Sequence, residues 1–242
     1  MWKERKDKMD NTLKDFRLFA RDKGVSGMLF DDYTSKMPYD SYIEPTVLEE
    51  RKNMNLISIS VFSRLLMERI IFLGTEISSD VSNIISAQLL WLDSVDPSKD
   101  VTLYINSGGG SVISGYSIID VCNFIKCDVS TVITGLAASM AAVVASNGTK
   151  GKRYGLEHAK FMIHQPRMTF GRDMMVASDI TIEAEEINKT KEELYRTLSQ
   201  NSNLSYDEIK LLSDRDKWYN MEEAIQSGFV DGIIKSKKLQ TL

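Results

Sequence analysis

The chain has 242 residues, 43% of them hydrophobic and 26% charged, and a formal net charge of −4. That composition suits one sizeable core, and the slight acidity excludes the basic footprint of a nucleic-acid binder. No run approaches membrane-spanning length, and Glu4, Asp7, Asp10 and Asp15 exclude a mitochondrial-type leader, so a cytoplasmic protein without a membrane partner is expected.

Residues 1–44 differ in character from the rest. Met9, Leu13, Phe16 and Ala20 fall at helical spacing, but Gly24, Gly27 and Pro38 interrupt any regular pattern. This stretch is expected to be a mobile leader or a processed propeptide, with one domain from 45 to 242. A strand is predicted over Ile70–Gly74 and a helix over Asp80–Leu92, capped by Ser79 or Asp80. Ile84, Ile85, Leu89 and Leu92 would line that helix's apolar face. Val101–Asn106 reads as a strand, Ser114–Lys126 as a helix and Val129–Thr134 as a third strand. Met140–Ser146 follows as a helix of small apolar residues, then a strand at Lys160–His164 and a long charged helix at Asp179–Gln200. Alternation of this kind predicts an α/β fold with a mostly parallel sheet. The only cysteines, Cys122 and Cys127, follow no zinc spacing and read as reduced thiols.

Only two histidines occur, so neutral-pH proton transfer by imidazole must use His158 or His164. His158 lies in a turn-like Gly155-Leu156-Glu157-His158 and reads as solvated. His164 ends a strand that Pro166 stops, and α/β sites collect at the C-terminal ends of strands. Ser139, in Gly135-Leu136-Ala137-Ala138-Ser139-Met140, follows a strand and opens a helix. A hydroxyl there is a candidate nucleophile or a plain N-cap. The run Asn106-Ser107-Gly108-Gly109-Gly110-Ser111 can expose backbone N–H groups as an oxyanion hole, or form an ordinary turn. It lacks the lysine of a phosphate loop. Asp214-Arg215-Asp216-Lys217 offers a carboxylate to orient an imidazole, or a salt-bridged surface, and Arg167 and Arg172 read as surface charge.

Taken together, these runs resemble the proteolytic subunit of the Clp protease, the ClpP family of self-compartmentalised serine peptidases. The resemblance spans about residues 45–235. It rests on Pro45-Thr46-Val47-Leu48-Glu49, Ser63-Arg64-Leu65-Leu66-Met67-Glu68-Arg69-Ile70-Ile71-Phe72-Leu73 and Tyr104-Ile105-Asn106-Ser107. Ala137-Ala138-Ser139-Met140, Met162-Ile163-His164-Gln165-Pro166, Arg215-Asp216-Lys217-Trp218 and Glu223-Ala224-Ile225-Gln226-Ser227-Gly228-Phe229-Val230-Asp231 complete it in order.

The resemblance implies a crotonase-like fold, with a head of parallel sheet and helices and a strand–helix handle at about 161–200. It implies Ser139 as nucleophile, His164 as general base and Asp216 as the orienting carboxylate. Gly110 and Met140 would supply the oxyanion-hole N–H groups, and Asp214 and Arg215 would serve contact between rings. The implied assembly is two stacked heptameric rings of this chain, or rings mixed with a paralogue, with axial loops beginning at Pro45–Glu49. A separate AAA+ unfoldase of the Clp type would spend ATP and feed in unfolded protein, and no cofactor is expected in the chain itself. Three departures stand out. Gly108 replaces the usual proline, Leu136 replaces a glutamine, and Arg167–Val176 lacks the family's Pro-Leu-Gly-Gly sequence. These keep a non-catalytic ring subunit in view, and an acyl-CoA enzyme of the crotonase type is a further alternative.

Overall fold

A computed structural model describes residues 46–51, 55–167 and 176–235. The leader 1–44, Pro45 and Arg172 lie outside these residues. The chain divides into two compact units, 1–64 and 65–242. In the first, β1 (Thr46–Arg51) and β2 (Asn55–Ser60) pair antiparallel from Thr46↔Ser60 to Arg51↔Asn55. Helix α1 (Val61–Met67) follows.

The second unit continues with β3 (Ile70–Leu73), α2 (Ser79–Val95), β4 (Val101–Ser107), α3 (Val112–Phe124), β5 (Val129–Ala138) and α4 (Met140–Ser146). It closes with β6 (Arg153–Leu156), β7 (Lys160–Ile163), α5 (Ala177–Gln200), α6 (Tyr206–Leu212), β8 (Lys217–Tyr219), α7 (Met221–Gln226) and β9 (Gly232–Ile234). Strands β3, β4, β5, β6 and β9 lie side by side in that order, all parallel. The α/β fold with a mostly parallel sheet is therefore present. Strand β5 is long enough to serve two neighbours on one edge. Its Thr131–Ile133 pair with β6, and its Leu136–Ala138 pair with β7. Strand β8 then runs antiparallel to β7.

Local sequence explains the elements and moves several predicted boundaries. In β4, Val101, Leu103, Ile105 and Ser107 are buried at every second position, the period of a strand. Helix α2 buries Ile85, Leu89 and Leu92, as its periodicity requires. Ile84, predicted for that face, is 58% exposed. The cap is Ser78, not Ser79 or Asp80: Ser78 keeps an extended backbone, and its side chain accepts the N–H of Val81. Helix α3 starts at Val112, two residues before the predicted Ser114, because Ser111 caps it.

Strand β5 runs four residues past the predicted end at Thr134. The register shifts between Ile105 and Ser107 of β4, and the side chain of Asn106 there accepts the N–H of Leu136. That bond carries the strand onward. It also accounts for Gly135, where a Cβ would stand 2.7 Å from the same Asn106 oxygen.

The core is made of Leu73, Leu103, Ile105, Ile133, Phe161 and Phe229, all fully buried, with Phe161 and Phe229 stacked at 4.8 Å between ring centroids. All seven residues of α4 are buried. Among the described residues, no helix is long and apolar enough to cross a membrane.

Candidate active site

Strand pairing assembles the site. Ala138 of β5 pairs with Met162 of β7, and the N–H of Ser139 bonds to the carbonyl of Met162 at 2.9 Å. Ile163 of β7 pairs with Lys217 of β8, so the next antiparallel positions outward are His164 and Asp216. Ser139, His164 and Asp216 therefore each lie one residue beyond the end of one of three adjacent strands. Cross-strand neighbours at that spacing bring side chains within contact of one another.

The side chains do meet. His164 Nε2 is 2.8 Å from Ser139 Oγ, and His164 Nδ1 is 3.0 Å from Asp216 Oδ1. The imidazole is 12% exposed and the Asp216 carboxylate 43%. The hydrogen bond from His164, helped by the charge of Arg167, holds the Asp216 carboxyl below the usual carboxylate range. Ser139 is the N-cap of α4 by position, yet its side chain makes no capping bond. Its hydroxyl faces the imidazole instead. Its φ of +56° is a left-handed conformation that non-glycine residues rarely adopt, with a cost of order 1–3 kcal/mol.

The glycine run lies against this serine. A Cβ on Gly109 would stand 2.7 Å from Ser139 Cβ and 2.9 Å from Met140 N. Gly110 forms a parallel bridge with Ile77, made by Ile77 N–H to the Gly109 carbonyl and Ser111 N–H to the Ile77 carbonyl. In such a bridge the residue's own N–H and C=O point the other way. Gly110 and Met140 both line the cavity that holds Ser139 and His164. That cavity measures about 190 Å³, with Leu194 and Leu198 of α5 on an apolar wall. Met140 is seated by Gly115 of α3, where any Cβ would collide with the methionine side chain at 2.3 Å. The arrangement offers a hydroxyl, a base to deprotonate it, a carboxylate to orient the base, and backbone N–H groups beside them.

The remaining sequence candidates fall elsewhere. His158 is exposed in a turn. Asp214 and Arg215 are 70% and 91% exposed and approach each other at 3.8 Å. Gly108 sits in open space, with nothing within 4 Å of where a Cβ would be. Sequence reasoning missed one participant. Arg167, read as surface charge, donates from Nη2 to Asp216 Oδ1 at 2.5 Å. Its position next to Pro166, in the segment that departs from the expected motif, was the sole signal.

Comparison with known proteins places the chain in a family. The family model for the Clp protease matches residues 52–237. The chain is 46% identical over 227 residues to the ATP-dependent Clp protease proteolytic subunit of Porphyromonas gingivalis, covering 93% of this chain and 100% of that one. A protein of the same name from Bacteroides thetaiotaomicron is 46% identical over 226 residues, with the same coverage. The ATP-dependent Clp protease proteolytic subunit 2 of Rhodococcus jostii is 47% identical over 178 residues, 74% of this chain and 90% of that one. With similarity of this extent and order, the chain belongs to the Clp protease family.

Proposed function

We propose that this chain is the serine endopeptidase subunit of an ATPase-coupled Clp protease. The observation that carries the reading is the continuous hydrogen-bonded run from Ser139 through His164 to Asp216. His164 Nε2 takes the proton of Ser139 as Oγ attacks a peptide carbonyl. The N–H groups of Gly110 and Met140 hold the oxyanion, and losing one such donor typically costs about a hundred- to a thousandfold in rate. Asp216 keeps the proton on His164 Nδ1 and supports the imidazolium. His164 then protonates the leaving amine, and water admitted to the same position releases the acyl group. The chain supplies every group in these steps, and ATP use is assigned to a separate AAA+ unfoldase that delivers unfolded polypeptide.

The cavity wall of Leu194 and Leu198 suits an apolar substrate side chain. Helix α5 would be the helix of the strand–helix handle of a crotonase-like fold, whereas β7 pairs with β5 and β8 in the main sheet. Val176, Ile180 and Ile182 are 62%, 48% and 58% exposed, which suits a surface covered by another subunit in two stacked rings. Asp214 and Arg215, both exposed, are assigned to contact between rings. Residues 1–44 remain a leader, the peptidase domain runs from 45, and the cytoplasm is the proposed location.

The test is Ser139→Ala. Cleavage of a short fluorogenic peptide should fall by about 10⁴-fold or more, and labelling by a fluorophosphonate should vanish. Survival of either would overturn the assignment. Assay of the chain alone and mixed with a paralogous subunit separates a self-sufficient enzyme from one active only in mixed rings.

A further inference from the structure

Asp216 Oδ1 accepts two hydrogen bonds, one from His164 Nδ1 at 3.0 Å and one from Arg167 Nη2 at 2.5 Å. A guanidinium cannot lose its proton in the working range, so a permanent positive charge shares one oxygen with the imidazole. We infer that Arg167 is a positioning residue that holds the Asp216 carboxylate toward His164. The inference rests on the serine-peptidase reading above.

Two effects follow from the geometry. The first is orientation. Asp216 is 43% exposed on a short strand end, and its described side-chain bonds are those to His164 and Arg167. With the second bond in place, Oδ1 is held toward Nδ1. The second effect is charge. The Arg167 cation favours the ionised Asp216 carboxylate, which then accepts from the imidazole as it becomes positive.

Among the described residues, no other charged group in the vicinity does this job. Asp214 and Arg215 approach each other at 3.8 Å, and Gln165 Nε2 donates to the Asp214 carbonyl. Lys217 Nζ lies over the Tyr219 ring at 5.4 Å. From α5, the cavity receives Leu194 and Leu198, which are uncharged. On the far side, Glu76 lies against Gly110, where its Cγ would be 3.0 Å from an added Cβ. Arg167 itself is 70% exposed, so salt must screen its effect.

The experiment measures kcat and KM for a fluorogenic peptide in the full chain and in R167M, R167K and S139A, at about 0.01 M and about 1 M salt. In R167M at low salt kcat should fall about tenfold while KM changes little. R167K should restore part of kcat. High salt should bring the unaltered chain's kcat toward that of R167M, and this arm needs no variant to fold. An unchanged kcat in R167M, or a salt-independent kcat in the unaltered chain, overturns the role of Arg167. Activity surviving in S139A overturns the underlying peptidase reading instead, so the two failures are distinguishable.

Discussion

Adjacent glycines in the loop after β4 will respond in opposite ways to a methyl group. Gly108 has open space around its missing Cβ, so Gly108→Ala should leave peptide cleavage intact and raise stability by up to about 1 kcal/mol in urea unfolding. Gly109 has a φ of +97°, and its Cβ would press on the Ala138 carbonyl and Ser139 Cβ at 2.7 Å. Gly109→Ala should cost about 1–3 kcal/mol and lower kcat about a hundredfold by displacing Ser139. Equal activity in the two variants would contradict the placement of this loop. At this scale the sequence was legible where residue type and position coincide. His164 stands at a predicted strand end and Ser139 at a predicted helix start, and both could be picked out as candidates. Asp216 stood out only through family resemblance, because Asp214–Lys217 carries the local signature of a charged surface. The contact of Arg167 with Asp216 spans 49 residues and leaves no local pattern to read.

Helix α5 combines two different surfaces. Its buried side chains, Leu194, Tyr195 and Leu198, sit near its C-terminal end, and two of them wall the cavity. Leu198, 2% exposed, should cost about 2–4 kcal/mol when cut to alanine. Leu198→Ala should also widen the apolar wall, so that a peptide library shows a shift toward bulkier apolar side chains. An unchanged preference would remove α5 from the substrate site. Elements with several repeats of their period, such as α2, β4 and α5, were legible in the sequence. Strands β6, β8 and β9 have three or four residues each, too few for alternation to register. Helices α6 and α7 are nearly as short, yet Ser205 with Glu208 and Asn220 with Glu223 form capping boxes whose spacing is visible in the chain.

At the scale of the whole molecule, the ion pair of Arg153 with Asp231 joins segments remote in sequence. Arg153, 4% exposed, binds both oxygens of Asp231 and also donates to the carbonyls of Ser146 and Asn201. It thereby ties the end of the buried helix α4 to the end of α5 and to the approach to β9. Burial alone would raise the Asp231 carboxyl, but hydrogen bonds from the side chain and backbone of Arg153 outweigh it and hold it below the usual range. The sign follows. The stability this pair contributes is fully present above the ordinary carboxylate value of about 4 and is lost as pH falls through the lower folded value. Asp231→Asn should cost about 2–4 kcal/mol at neutral pH, and the gap from the unaltered chain should narrow below about pH 4. A gap independent of pH would contradict it. The parallel order of the main strands was legible from alternation alone, but this pair was not, since no pattern links positions 153 and 231.

Ser139, His164 and Asp216 share a ruler, because each projects just past the paired end of its own strand. Adding or deleting one amino acid within Phe161–Ile163 would turn His164 to the opposite face of the sheet and break both of its bonds at once. Length changes after Arg167 leave that ruler untouched. The few positions leading into the histidine thus admit exchange of side chains but no change in number.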